Sequence, residues 1–267
     1  MQLITSKENE QIKQIHKLKD KKYRDEMGLF VVEGIKTVNE AIAEEADIQT
    51  IVICDDSDEQ GELKEKMLYA VAKYNIIYVN QRVFEYISEV MHPQGILAVI
   101  KKKETQNKIN YNEDLLVILV NIQDPGNLGT IIRTVDSIGL TQIILSKGTV
   151  DPYSPKVVRS TMSGIFRVNI EQVDDIASTI KQIQKNKFKV VATSLATNKS
   201  MYDISYNKTA IVIGNEANGV TKEVLGLADE KVKIPMLGKT ESLNAAVAAG
   251  VVMYEYVRQK IKKGIEP

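Results

Sequence analysis

Three short clusters in the second half of the chain combine amides, glycines and isolated charges directly after apolar stretches. The first runs Asn121-Ile122-Gln123-Asp124-Pro125-Gly126-Asn127-Leu128-Gly129-Thr130-Ile131-Ile132-Arg133. Asp-Pro-Gly is turn chemistry, and Gly129 lets a backbone approach a ligand closely. A helix starting near Asn127 would carry Arg133 less than about two turns further on. Taken alone, the segment reads equally well as an ordinary strand-to-helix turn with a surface arginine. The second cluster is Ile213-Gly214-Asn215-Glu216-Ala217-Asn218-Gly219, a lone glutamate between glycines, which suggests a tight loop around a ligand. Its glycine spacing and Thr221 have the outline of a P-loop, but Val220 stands where a phosphate-binding lysine is needed. The third is Ile234-Pro235-Met236-Leu237-Gly238, followed by Ser242-Leu243-Asn244 at the start of a long apolar stretch. Polar residues there cap a helix more often than they face a substrate.

Composition narrows the chemistry these clusters can do. A single cysteine, Cys54, and two histidines, His16 and His92, argue against a zinc site or any histidine-rich metal centre, so no metal is expected. No Gly-x-Gly-x-x-Gly dinucleotide fingerprint occurs. Lysine plus arginine is 35 and aspartate plus glutamate is 35, which excludes a uniformly basic nucleic-acid coat but not local patches. Six basic residues lie between Lys13 and Arg24 (Lys13, Lys17, Lys19, Lys21, Lys22, Arg24) against Asp20 alone. Ten acidic residues lie between Glu40 and Lys66, and a second basic tract is Lys101, Lys102, Lys103 and Lys108. A solvated helix face is the plainer explanation of the first basic run, with RNA contact the alternative. No run reaches the ~18 apolar residues of a membrane helix and the N-terminus lacks a signal-peptide core, so no membrane association and a cytoplasmic location are expected.

The elements that must position the clusters follow from hydrophobic periodicity. With 267 residues, at roughly 150 per domain, two domains are expected. Thr5 and Glu8 have capping-box spacing, and Ile12, Ile15 and Leu18 share one helical stripe. Strand candidates Leu29–Val32, Ile48–Ile53, Ile76–Val79 and Ile96–Ile100 alternate with helical stretches around Val38–Ile42 and Leu63–Val71. This first α/β unit is placed at residues 1–100, with a polar, lysine-rich linker at 101–112 and a second α/β domain at 113–267. The second half has strand candidates at Leu115–Val120, Gln142–Leu145, Lys189–Thr193 and Ala210–Ile213. Leu243–Tyr256 is apolar nearly all round, so it is expected in a core or an interface. Ligands of open α/β sheets bind at the carboxyl ends of strands, where the three clusters fall.

In this order and spacing the three clusters resemble the SpoU (TrmH) family of RNA 2′-O-ribose methyltransferases, within the knotted SPOUT class. The likeness extends through Gly139, Asp151-Pro152-Tyr153-Ser154-Pro155-Lys156, Arg159, Phe166-Arg167-Val168 and Tyr254-Glu255. Tyr23-Arg24, Phe30-Val31-Val32-Glu33-Gly34 and His92-Pro93-Gln94-Gly95 resemble the small ribosomal-protein-like substrate-binding domain often found ahead of it. One departure is Met162-Ser163-Gly164, where many relatives have the glycine one position earlier.

The resemblance implies a C-terminal trefoil-knotted α/β domain preceded by a smaller RNA-binding α/β domain. It implies S-adenosylmethionine as cofactor, lined by Gly214, Asn215, Ile234, Met236 and Leu243, and methyl transfer to a ribose 2′-hydroxyl. The implied catalytic set is Arg133 with Asn127, Glu216, Ser242 and Asn244. An arginine whose pKa exceeds about 12 is an awkward base, so Arg133 is better cast as the charge that binds RNA phosphate and stabilises a developing alkoxide. Glu216 is the fallback base. RNA contacts are expected at Lys13, Lys17, Lys21, Lys22, Arg24 and Arg159. Ribosomal RNA, 23S above all, is the expected substrate; a tRNA substrate, guanine-N1 chemistry and a catalytically silent RNA-binding module are the alternatives. A homodimer that completes the active site is also expected, with Asn127 and Arg133 near its boundary.

Overall fold

The computed structural model of the protein describes residues 3–55, 73–103 and 109–264. The chain divides into two compact units, Met1–Glu104 with Tyr153–Phe166, and Thr105–Pro152 with Arg167–Pro267. Tyr153–Phe166 lies in sequence within the second half but packs with the first unit. The helix expected around Leu63–Val71, and Lys108, lie outside the described residues. Among the described residues no helix is long and apolar enough to cross a membrane.

The first unit is built on a mixed sheet ordered β1-β4-β3-β5-β2, with β1 at Leu3–Ile4, β2 at Leu29–Glu33, β3 at Ile48–Cys54, β4 at Ile76–Val79 and β5 at Ile96–Lys101. β3 runs parallel to β4, whereas β5 is antiparallel to both β3 and β2. The core pairs Val52, Val79, Leu97 and Val99 from the strands with Ile12, Ile15 and Leu18 from the N-terminal helical region. That region differs from the sequence expectation in two respects. Asn9, not Thr5, caps the first helix, its Oδ1 accepting from the amides of Gln11 (2.9 Å) and Ile12 (3.4 Å). The basic run is also broken into two helices, Glu10–Lys17 and Lys21–Met27, rather than one. The Met162-Ser163 departure has a conformational cost: both residues adopt left-handed φ, 47° and 76°, which disfavours any side chain.

The second unit is a six-stranded sheet, every pairing of which is parallel, ordered β11-β9-β10-β6-β7-β8. Its strands are β6 (Leu115–Leu119), β7 (Gln142–Ser146), β8 (Asn169–Val173), β9 (Lys189–Thr193), β10 (Thr209–Ile213) and β11 (Glu230–Val232). β6 and β10, at the centre, are buried at every residue, as a parallel strand covered on both faces must be. The two strands absent from the sequence expectation, β8 and β11, are the polar edge strands. The long helix begins at Ala245 and runs to Lys262. It is not covered all round: Val247, Tyr254 and Ile261 remain about half exposed, at 52%, 54% and 51%.

Candidate active site

Because all six strands of the second sheet point the same way, the loops after β6, β7, β9, β10 and β11 emerge at one edge. The loop after β10 is the tightest. Asn215 and Gly219 exchange backbone hydrogen bonds of 3.0 and 2.9 Å, folding the chain back on itself. A Cβ on Gly214 would lie 2.1 Å from the Gly219 carbonyl carbon and 2.2 Å from the Val220 nitrogen, so only glycine fits there. That close packing delivers Glu216 to the loop after β6.

Glu216 accepts from Asn127 Nδ2 at 2.9 Å and from the backbone amides of Gln123 and Asp124 at 3.4 Å. Asn127, 8% exposed in the first turn of the helix Pro125–Ser137, accepts in turn from Asn244 Nδ2 at 2.8 Å. Asn244 caps the long helix through the amides of Ala246 and Val247. Capping and site membership are therefore one role here, with Oδ1 committed to the helix and Nδ2 to the network. Burial works to raise the Glu216 pKa, but Asn127 and the surrounding backbone amides outweigh it and hold the carboxyl below the usual glutamate range. Glu216 is thus an anion at neutral pH and a poor proton acceptor, which disfavours it as the fallback base.

Beside this network lies a cavity of about 370 Å³ whose lining includes Gly214, Asn215, Ile234, Met236 and Leu243. All five residues expected at a cofactor are therefore brought together, and Glu216 and Ser242 line the same space. The wall also contains Ser194, Leu195 and Ala196 after β9, and Glu241, none of which was singled out from sequence. The carboxyl-end rule would have found the first three; nothing about Glu241 marks it in the sequence. The volume is that of a small-ligand pocket. Apolar Leu195, Ile234, Met236 and Leu243, with the carboxylates Glu216 and Glu241 outnumbering the single Lys233, suit a cationic, amphipathic group such as S-adenosylmethionine.

Arg133 and Arg24, expected at the site and at RNA, do not line this cavity, and neither does Glu255 of the Tyr254-Glu255 stretch. Arg133 is exposed on the helix Pro125–Ser137, and its side chain makes no hydrogen bond or ion pair among the described residues. Six residues at about 100° each turn it away from Asn127. Glu255 faces inward, accepting from Arg258 Nε and Nη2 at 2.6 Å each, and contributes nothing to the cavity. Arg24, expected at RNA, is instead 3% exposed and donates to the carbonyls of Leu18 (2.7 Å) and Lys19 (2.6 Å), where it holds the turn between the two N-terminal helices. Lys17, Lys21, Lys22 and Arg159 are exposed, and Lys13 is half-buried and paired with Glu8 at 2.8 Å.

Both halves of the chain resemble known proteins. Residues 9–98 match the MRM3-like substrate binding domain, and residues 114–254 match the SpoU rRNA Methylase family. The 23S rRNA (guanosine(2553)-2′-O)-methyltransferase RlmP of Bacillus subtilis is 30% identical over 95% of this chain and 98% of its own. The AdoMet complex of the SpoU methyltransferase AviRb from Streptomyces viridochromogenes superposes with a TM-score of 0.87 at 27% identity, over 95% of this chain and 98% of that one. The Aquifex aeolicus TrmH/SpoU tRNA modifying enzyme is similar over only 57% of this chain and 77% of its own, with a TM-score of 0.52 and 32% identity. With a family match that spans more than half of the chain, the SPOUT fold of its structural neighbours and the Asn127–Glu216–Asn244 network at the expected positions, this chain belongs to the SpoU rRNA methylase family.

Proposed function

We propose that this protein transfers a methyl group from S-adenosylmethionine to a ribose 2′-hydroxyl of 23S ribosomal RNA. The observation that carries the reading is the Asn127–Glu216–Asn244 chain set against the cavity lined by Gly214, Ile234, Met236 and Leu243. Ribosomal rather than transfer RNA is favoured because RlmP, named for 23S rRNA, aligns with 95% of this chain, whereas the tRNA (guanosine(18)-2′-O)-methyltransferase of Aquifex aeolicus aligns with 68% of it. Bound S-adenosylmethionine supplies a methyl group already activated on a sulfonium centre. The protein's own task is alignment, which can contribute several kcal/mol, and stabilisation of charge on the attacking oxygen.

Gly214, Ile234, Met236 and Leu243, with the backbone of Asn215, would hold the cofactor, the anionic Glu216 would orient Asn127, and Ser242 would face the reacting groups. Arg133 would bind the RNA phosphate and stabilise the developing alkoxide from a second copy of the chain. What supports that partner is its open position beside an apolar stripe: Val247, Val251 and Tyr254 share one face of the long helix, and Tyr254 reaches Ser137 of the neighbouring helix at 3.5 Å. This face would form a homodimer through a trefoil-knotted domain. Lys13, Lys17, Lys21, Lys22 and Arg159 would bind RNA, and the protein would act in the cytoplasm, where ribosomes are assembled.

Mapping ribose methylation across total RNA from cells with and without the protein tests the reaction and names its nucleotide. A lost mark in 23S RNA supports the reading; a lost mark in tRNA, or none, overturns it. Light scattering tests the dimer, and an active monomer at assay concentration would remove Arg133 from the partner's site.

A further inference from the structure

We propose that Asn215 is a positioning residue for Glu216, its side chain clamping the loop after β10 to the loop after β6 rather than holding the cofactor. This rests on reading the adjacent cavity as the methyl-donor seat. A primary amide has two N–H donors and a carbonyl oxygen with two lone pairs. In Asn215 both donors and both lone pairs are taken within the protein. Nδ2 donates to the Asn121 carbonyl at 2.9 Å and to Glu216 Oε2 at 3.3 Å. Oδ1 accepts from the amides of Ala217 at 2.9 Å and Asn218 at 3.0 Å. Nothing is left to recognise a ligand, so only the Asn215 backbone can serve the cavity wall.

The far end of the clamp is itself pinned. Asn121 adopts left-handed φ, 56°, and its amide donates to Ser146 Oγ at 3.0 Å. The Asn215 side chain thereby joins the loops after β6 and β10, and the Asn121 amide joins the first of these to Ser146 at the end of β7. Glu216, the next residue, is carried to the amides of Gln123 and Asp124 and to Asn127 Nδ2. Without the amide, the loop after β10 would still close through its backbone bonds with Gly219, but nothing on Asn215 would fix its distance from Asn121.

The test is Asn215→Ser in the full-length protein, which keeps an oxygen able to accept from the loop amides while removing the Nδ2 group that reaches Asn121 and Glu216. Asn215→Asp, which is isosteric and keeps the turn but adds a like charge beside Glu216, is the second variant should serine loosen the loop. Three quantities are read: S-adenosylmethionine affinity by calorimetry, kcat for methyl transfer to RNA, and the Glu216 carboxyl titration by NMR. The expected result for serine is unchanged cofactor affinity, kcat down about tenfold or more, the size of one lost hydrogen bond to a charged group, and a Glu216 titration moved upward. Aspartate should lower kcat further at the same affinity. Unchanged kcat and Glu216 titration would overturn the clamp. Loss of affinity in step with kcat would return Asn215 to the cofactor contacts. If the wild-type protein methylates no RNA, the proposed reaction fails, while the Glu216 titration still decides the clamp.

Discussion

The two units begin from the same alternation of strands and helices and arrive at different surfaces. In the second unit every strand pairing is parallel, so the carboxyl ends of β6, β7, β9, β10 and β11 share one edge and their loops meet. The cavity, Glu216 and the two asparagines that connect to it are all products of that edge. In the first unit β5 lies antiparallel between β3 and β2, so its loops are distributed to both ends of the sheet. The first unit presents lysines along two short helices instead. Strand polarity therefore separates a unit that can gather side chains around a small molecule from one suited to an extended, charged partner.

The largest effect that would break this contrast is at Glu216. Glu216→Ala should lower kcat about 100-fold, the scale of removing one oriented electrostatic group, with the melting temperature close to wild type because the residue is exposed. Glu216→Gln should recover little if the negative charge matters. A variant retaining most of its kcat would mean that the shared strand edge does not make the site.

Glycine placement gives the next contrast. Gly214→Ala must push a Cβ into the backbone of Gly219 and Val220, so cofactor affinity and thermal stability should fall together. Ser163→Gly, which packs with the first unit, should instead stabilise by about 0.5–1 kcal/mol by relieving a left-handed side chain, offset by greater freedom in the unfolded chain. Denaturant midpoints of both variants check the pair; a Gly214→Ala protein with normal cofactor affinity would contradict the geometry.

The basic helices sharpen the division of labour. Replacing Lys17, Lys21 and Lys22 by glutamine should weaken RNA binding and reduce the salt slope by about one for each phosphate no longer neutralised, while cofactor affinity stays unchanged. Arg24→Ala should behave differently, losing about 1–3 kcal/mol of stability by leaving two carbonyls without their buried donor. An Arg24 variant that folds normally and fails only on RNA would restore it to the binding set.

The smallest effect concerns Glu171 on the edge strand β8, 6% exposed and with its pKa raised by burial. A carboxyl raised in the folded state favours folding while protonated, and that contribution is lost as pH rises through the folded pKa. Glu171→Gln should therefore melt above wild type at neutral pH, with the gap shrinking towards pH 4.5 and below. A pH-independent gap would assign the effect to packing rather than charge.

Much of this was readable from residue order, for reasons that differ by element. β6 and β10 are continuous apolar runs because both faces are covered, and such runs survive in sequence as unmistakable strands. β8 and β11 sit at the sheet edges, where one side meets solvent, and Asn169-Ile170-Glu171-Gln172-Val173 carries no comparable signal. Gly214, Glu216 and Asn127 were legible as a constellation only through the resemblance of the three clusters to a known family; taken singly, turn and capping chemistry explained each loop equally well.

What tertiary structure alone decided is which partners each side chain found. Sequence placed Arg24 among six basic residues, but only folding set its guanidinium against the Leu18 and Lys19 carbonyls. Sequence made Asn215 a neighbour of the cavity, but only the approach of two loops 94 residues apart gave its Nδ2 the Asn121 carbonyl. Sequence made the long helix apolar all round, but packing covered one side and left Val247 and Tyr254 open. Composition and local geometry restrict what a residue can do; which of those options is used depends on distances between segments that are remote along the chain.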